Sequence, residues 1–461
     1  MNIPRILIAA GASGSGKTLI TCGILQALQN RKKKVTSFKC GPDYIDPMFH
    51  STVIGTKSGN LDTFFTAPEI TRYLLGVNAA DSDIGVIEGV MGYYDGLGGV
   101  STKASAYELA EVTDTPVIFI VNCKGMSVSI LPYIQGFLQY KENSRIEGIL
   151  LNQISPMLYP RVKQMIEETL PVTVFGYVPP IPECALESRH LGLVMPSEIS
   201  GLKEKLQQLS QVLEDTIEID ALLKLAQQAP ELRSDPSWES GSIFQFSLPQ
   251  RVTIAVARDE AFCFFYEDNI RLLEEMGAEI KYFSPIHDSK LPEKTSGLIL
   301  YGGYPELYAE CLEENSSMQE SIAGHIRRGM PVLAECGGFM YLHEAMEDTQ
   351  GDFFKMAGAI SGNAYYTKKL SRFGYIQVLQ NNEKVLGKNL HTLSAHEFHY
   401  FDSTANRKDF TAKKPLGSRS WECMIANENQ LMGFPHFHYY GNPQIPQAFL
   451  ERCYQKEKEK A

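Results

Sequence analysis

Eight residues near the start of the chain, Gly11-Ala12-Ser13-Gly14-Ser15-Gly16-Lys17-Thr18, constrain it more than any other feature. They fit GxxxxGK[ST] completely. The apolar run RILIAA precedes them, and Thr18–Gln29 follows with Ile20, Ile24, Leu25 and Leu28 at helical spacing. A strand, a glycine loop and a helix in that order form a phosphate-binding loop, with backbone N–H groups and the helix dipole directed at the anion. Gly11, Gly14 and Gly16 let the backbone close around phosphate oxygens. Lys17 is expected to reach the β- and γ-phosphates of a nucleoside triphosphate, and Thr18 to ligate Mg²⁺.

The rest of the first half agrees with that start. Runs at Ile6–Ala10, Val35–Lys39, Ile84–Glu88, Val117–Val121 and Gly148–Asn152 are aliphatic or β-branched, as strands buried on both faces are. Alternation with helical patterns predicts an α/β domain, a mostly parallel sheet with flanking helices, over 1–228. The Pro/Ser-rich stretch 229–250 reads as a linker. The pattern then restarts with strands at Arg251–Ala257, Glu279–Phe283, Gly297–Tyr301 and Pro331–Glu335, and helices at Tyr266–Met276 and Ser316–Arg328. A second α/β domain is expected over 251–448, with antiparallel strands in its later part (373–440). Residues 449–461 read as a charged, frayed tail.

The 461 residues carry 43 Lys plus Arg against 54 Asp plus Glu, a formal net charge of −11, which excludes a nucleic-acid binder working through a broad basic surface. No apolar stretch reaches the ~18 residues of a membrane span. The N-terminal run is too short for a signal peptide. Nine scattered Cys with no CxxC pair suggest neither a disulfide framework nor a zinc ribbon. Together these features predict a cytoplasmic protein with reduced thiols and no nucleic-acid or membrane partner.

Two acids stand where a nucleotide-bound Mg²⁺ needs them, just after strands: Asp43 in Lys39-Cys40-Gly41-Pro42-Asp43-Tyr44-Ile45-Asp46, and Glu88 before Gly89. Asp95, in an Asp-Gly pair, reads on spacing alone as a turn residue. A different chemistry is signalled by Val332-Leu333-Ala334-Glu335-Cys336-Gly337-Gly338-Phe339, a Cys at a sharp strand-to-helix turn. That is a nucleophile elbow in a thiol version. Its base would be His436 or His438, two residues apart. Gly302 and Gly303, after another strand, and Gly337 offer backbone N–H groups for an oxyanion. A metal set of His396, His399, His436 and His438 is the competing reading of the histidines.

Both sites on one chain resemble the corrinoid-pathway glutamine amidotransferases that form a,c-diamides. The resemblance runs over nearly the whole sequence: Gly11–Thr18, Lys39–Pro47 with Met48-Phe49-His50, Ile87–Gly96, Ser188–Leu193, Gly302–Glu306, Ala334–Phe339 and His396–Tyr400. It implies an N-terminal domain of P-loop NTPase type, similar to dethiobiotin synthetase, and a C-terminal class I glutamine amidotransferase-like domain. ATP would phosphorylate the a and c carboxylates of cobyrinate in turn, and ammonia from L-glutamine would pass between domains and displace the phosphate. The family's nucleophile falls on Cys336 and its activating histidine on His436. Its Mg²⁺ ligands and acids fall on Asp43, Glu88 and Asp95, which raises Asp95 above a turn residue. Tyr44 and Asp46 lie near the reacting carboxylate in the family. Common class I glutaminases carry GxCxG and HxE; Ala334 and His438 depart from both, as the diamide branch does. No third triad member is assigned.

Hydrogenobyrinate and nickel-sirohydrochlorin are alternative substrates under the same motifs. A P-loop switch ATPase is the alternative of another class, but it needs a Lys where Ala12 stands and leaves the elbow unexplained. Arg189, His396 and His399 are candidates for holding the macrocycle. The reading allows a homodimer. ATP and a polycarboxylate are both anionic, so a locally positive site from Lys17, Lys39, Arg189 and Mg²⁺ is expected against the global charge.

Overall fold

Aliphatic strands build the frame of each half. The computed structural model describes residues 1–182, 188–189, 192–193, 201–233, 244–382 and 384–460, of which the side chains of 188, 189, 192, 193 and 460 lie outside the description. The chain divides into two units, Met1–Trp238 and Glu239–Ala461.

In the first unit seven strands run in the order β3-β2-β4-β1-β5-β6-β7: β1 Arg5–Ala10, β2 Val35–Cys40, β3 Lys57–Leu61, β4 Ile84–Glu88, β5 Val117–Asn122, β6 Ile146–Asn152 and β7 Thr173–Val178. Every pairing is parallel. Strand β1 lies between β4 and β5, so the chain reverses direction across the sheet there. The loops leaving the C-terminal ends of β1, β2 and β4 therefore converge on one crevice, where ligands bind in open α/β sheets. The edge strand β3, KSGNL, is polar and carries no apolar run to announce it. The stretch expected as a linker begins inside this unit. Leu232 is buried and donates its N–H to the Met1 carbonyl, and the Pro230 carbonyl accepts from the buried Arg5 guanidinium.

Two short strands follow, β8 Ser188–Arg189 and β9 Gly192–Leu193, paired antiparallel. The second unit has β10 Val252–Ala257, β11 Ala278–Phe283, β12 Gly297–Leu300, β13 Val332–Glu335, β14 His343–Glu347, β15 Phe353–Lys355, β16 Ile360–Tyr366, β17 Arg372–Gln380, β18 Thr392–His399, β19 Phe401–Ser403, β20 Phe410–Lys413, β21 Ser420–Cys423, β22 Ile425–Ala426, β23 Gln430–Gly433 and β24 His436–Phe437. They form sheets of order β11-β10-β12-β13-β23-β22, β15-β14-β16-β19 and β21-β20-β17-β18-β24. The first is parallel except for β22, and the last is wholly antiparallel. The ends of β12 and β13 and the turn after β23 again meet at one place, now carrying Gly302, Cys336 and His436.

The C-terminus corrects the sequence reading. Instead of a frayed tail from 449, the helix Gln444–Lys460 continues through it, with Phe449, Leu450 and Cys453 fully buried. Three apolar residues on one helical face outweigh the charged positions around them. Among the described residues no helix is long and apolar enough to cross a membrane.

Candidate functional sites

Lys17 opens the helix Lys17–Asn30 behind Gly16, whose φ of 93° places the loop's last residue in the left-handed region. A side chain on Gly16 would strike the Asn152 amide, which donates to the Ser15 carbonyl and pins the loop to β6. A side chain on Gly11 would strike Tyr133. The Lys17 ammonium donates to the carbonyls of Ala12 (3.0 Å) and Met91 (2.5 Å). Burial lowers its pKa to about 8, and the charge of Lys39 adds to that. Gly14, at φ 74°, leaves open space above it.

The Thr18 hydroxyl donates to Glu88 Oε1 at 2.6 Å. Lys39 donates to the same oxygen at 2.7 Å and meets Asp46 at 2.5 Å. His50 Nε2 lies 3.3 Å from Glu88 Oε2. Lys39, Asp46 and His50 are buried, Thr18 is half-buried, and Glu88 is 0% exposed. Burial alone would raise the Glu88 carboxyl, but Lys39 and His50 hold it well below the usual carboxylate range. Lys39, conversely, is held charged against burial by Asp46 and Glu88. Its positive charge is thus compensated locally, which corrects the expectation that Lys39 supplies free positive field.

Asp43 sits one step out. Its Oδ1 accepts the Ile45 N–H at 3.0 Å, and burial together with Asp46 pushes its pKa up. Tyr44 is buried and caps the helix Ile45–Phe49, in which Asp46 lies. Asp95 Oδ2 accepts the Gly92 N–H at 3.0 Å and lies within electrostatic reach of Lys17. The structure therefore brings Lys17, Thr18, Glu88 and Asp95 to one crevice, with Asp43, Tyr44 and Asp46 on its wall. The side chain of Arg189 lies outside the described residues.

Mg²⁺ takes hard oxygen donors and keeps several waters. Thr18 Oγ1 and Glu88 Oε1, neighbouring oxygens of a loop hydroxyl and a strand-end carboxylate, fit that donor set.

In the second unit Cys336 follows β13 and has φ 46° and ψ −108°, far from ordinary backbone for a residue with a side chain. The short helix Gly337–Tyr341 starts directly after it. Its amide donates to the Gly433 carbonyl at 2.8 Å, tying the elbow to β23. A Cβ on Gly302 would stand 2.6 Å from His436 Cε1 and 3.5 Å from Cys336 Cβ, so the imidazole, the elbow and the end of β12 are in direct apposition. Gly337 packs on Pro305 with the Gly303 amide beside it, and a side chain on Gly303 would strike the Ala261 carbonyl. These glycines keep the backbone of two loops within reach of the thiol.

His436 pairs with His396 across β24 and β18, their rings stacked at 4.9 Å. On its other side Glu335 Oε2 approaches His436 Nδ1 at 3.6 Å. Burial lowers His436 to about 3 and pushes the Cys336 thiol and the Glu335 carboxyl well up. Glu306 and Glu397, both raised by burial to about 7, contribute to the field on the thiol. The two candidate bases separate: His438 lies just past β24 with its ring against Tyr266 at 5.0 Å. His399 stacks on Phe434 at 4.1 Å, and its Nδ1 bonds the Phe401 carbonyl. Among the described residues no three His, Cys, Asp or Glu side chains converge as a metal set. The four histidines are packed as separate rings, of which His436 borders the thiol and His396 stacks behind it.

Comparison with known proteins follows the same division. Residues 6–193 match the family model of the CobQ/CobB/MinD/ParA nucleotide binding domain, and residues 253–442 that of the CobB/CobQ-like glutamine amidotransferase domain. The chain is 37% identical to the cobyrinate a,c-diamide synthase of Caldanaerobacter subterraneus subsp. tengcongensis, over 97% of its own length and 98% of the relative's. It is 35% identical to that of Priestia megaterium, over 100% and 99%. With that of Clostridium acetobutylicum the identity is 38%, over 95% and 97%.

Proposed function

The chain belongs to the cobyrinate a,c-diamide synthase family and is an ATP-dependent ligase that uses glutamine as amido donor, and from that premise we propose that it amidates the a and c carboxylates of cobyrinate through acyl phosphates. One observation carries the reading: the chain holds both a phosphate loop backed by Glu88 and a strained thiol elbow facing His436. Neither a switch ATPase nor a free-standing glutaminase needs both.

A carboxylate is a poor acyl donor because its leaving group would be oxide. Attack of its oxygen on the γ-phosphorus of ATP releases ADP and makes phosphate the leaving group. In that step Lys17, released from the Ala12 and Met91 carbonyls, meets the phosphate charge, and the loop amides after Gly14 and Gly16 hold the oxygens. Thr18 and Glu88 would hold Mg²⁺, which neutralises phosphate charge when bound. Asp95 fixes the Gly92 amide at the mouth of the crevice. Asp43, Tyr44 and Asp46 line the side from which the macrocycle's carboxylate approaches.

In the other unit the Cys336 thiol gives its proton to His436, and the sulfur attacks the glutamine δ-carbon. Backbone N–H groups around Gly302, Gly303 and Gly337 stabilise the oxyanion. The proton passes from His436 to the departing ammonia, and water hydrolyses the thioester to glutamate. Ammonia then displaces phosphate from the acyl phosphate, giving the amide. His396 backs the imidazole, and His399 packs on Phe434 in the turn that leads into the strand carrying it.

Purified protein with ATP, Mg²⁺ and glutamine should convert cobyrinate to a diamide, followed by mass spectrometry. Cys336→Ala should abolish the glutamine-driven reaction and keep the ammonia-driven one. Product from hydrogenobyrinate or nickel-sirohydrochlorin alone would move the substrate assignment. No product from any of the three would overturn the reading.

A further inference from the structure

Class I glutaminases hold their imidazole with a carboxylate two residues after it, and His438 stands there in this chain. His438 faces Tyr266 and Tyr440 instead. A carboxylate does face His436, but it arrives from another strand. Glu335 is the last residue of β13, adjacent to the elbow and 5% exposed. We propose that Glu335 is the positioning residue of the thiol site: its carboxylate stands 3.6 Å from His436 Nδ1 and closes to accept the Nδ1–H when glutamine binds, so presenting Nε2 to the Cys336 thiol. This rests on Cys336 and His436 being the glutaminase pair.

The geometry favours this partner for three reasons. First, Glu335 and Cys336 are neighbours on one chain, so the strand that sets the elbow also sets the carboxylate. Second, the Phe437 backbone amide, on the strand carrying His436, lies near enough to the Glu335 carboxyl to favour its ionised form. Third, Glu335 is an acid within 4 Å of the imidazole. Its other ring face meets His396 on β18, and its edge meets Gly302 and Cys336; Glu306 and Glu397 act on the thiol. Burial pushes Glu335 up and His436 down, while the Phe437 amide works toward the ionised carboxylate that the role requires. When the thiol proton reaches Nε2, imidazolium and carboxylate stand side by side and each relieves the other. The proton then leaves with ammonia, and the starting protonation returns.

The test uses the full-length enzyme with glutamine and with free ammonia. Glu335→Gln should lower glutamine-driven kcat by about 10²–10⁴-fold, the range in which a wrong tautomer costs a catalytic histidine. The KM for glutamine should stay within about threefold, since a tautomer error acts on the chemical step. Ammonia-driven amidation should persist. Glu335→Asp should restore part of the rate. In Glu335→Gln the acid limb of the glutamine-driven rate should move to lower pH, because removing a carboxylate lowers the imidazole pKa. A Glu335→Gln enzyme with parental glutamine-driven kcat and an unmoved acid limb would overturn the proposal. If that variant does not fold, ¹⁵N spectra of histidine-labelled unaltered enzyme decide: His436 protonated on Nδ1 supports the role, and on Nε2 refutes it. Cys336→Ala separates the two readings. Glutamine use surviving in it removes the glutaminase assignment itself, whereas its loss alongside a fully active Glu335→Gln removes only Glu335.

Discussion

Gly302→Ala places one methyl group where the thiol site has no room for it. The new Cβ would lie 2.6 Å from His436 Cε1 and 3.5 Å from Cys336 Cβ. Carbon atoms rest at about 3.5–4.0 Å, so the imidazole edge must retreat by about 1 Å. It has little freedom to do so. His436 is paired in register with His396 and stacked on it at 4.9 Å, and Glu335 stands 3.6 Å from its Nδ1. A displacement of about 1 Å costs about 100-fold in rate, or about 2.7 kcal/mol of barrier. The overpacking itself costs about 1–3 kcal/mol of stability. Glutamine-driven and ammonia-driven product formation, measured side by side, separate the effects: only the first should fall. Gly136→Ala is the control, in a helix with nothing within 4 Å of the new methyl. It should leave both rates alone and stabilise the chain by about 0.5–1 kcal/mol. A Gly302→Ala enzyme with parental glutamine-driven kcat would refute the apposition of Cys336 and His436.

Two further expectations concern the phosphate site. Lys17, lowered to about 8 by burial, is largely neutral at about pH 9 and must regain its proton when phosphate charge arrives. ATP binding at that pH should take up close to one proton and weaken as pH rises through 8; calorimetry in buffers of different ionisation enthalpy reads this, and Lys17→Met should abolish the uptake. Glu88→Gln strips a buried charge from Lys39 and should cost about 3 kcal/mol in urea denaturation at neutral pH. Because Glu88 is held below its ordinary value, its contribution is present above the unfolded carboxylate pKa and lost as pH falls toward the folded one. The gap between parent and variant should therefore narrow below about pH 4.3; equal stability at neutral pH would count against the network.

The first sheet was legible because its strands are buried on both faces and read as unbroken aliphatic runs. Its polar edge strand Lys57–Leu61 was not, since an edge needs no such run. The helical C-terminus was hidden by its charges, because the eye weighs QKEKEK above the sparse face of Phe449, Leu450 and Cys453. At the sites, a motif gave Lys17, Thr18 and Cys336. Glu88 came from a simple rule, an acid ending an apolar strand. The same rule applies to Glu335 after Val332-Leu333-Ala334, and a looser one, a charge within a buried strand, to Lys39 in Val35–Cys40. Each is a charge in a fully buried strand and therefore needs a partner nearby. His50 carried no such signal, because a histidine among apolar residues does not disclose which acid it faces.

The elbow at Cys336 bears on how this sequence can change over time. With φ 46° and ψ −108°, that backbone suits glycine and strains every residue with a side chain. Drift alone would favour glycine there, and each such exchange would make the fold easier to keep. The thiol persists only under continuous selection for its chemistry. A lineage released from that demand should lose the cysteine early, while the stable strands around it remain recognisable.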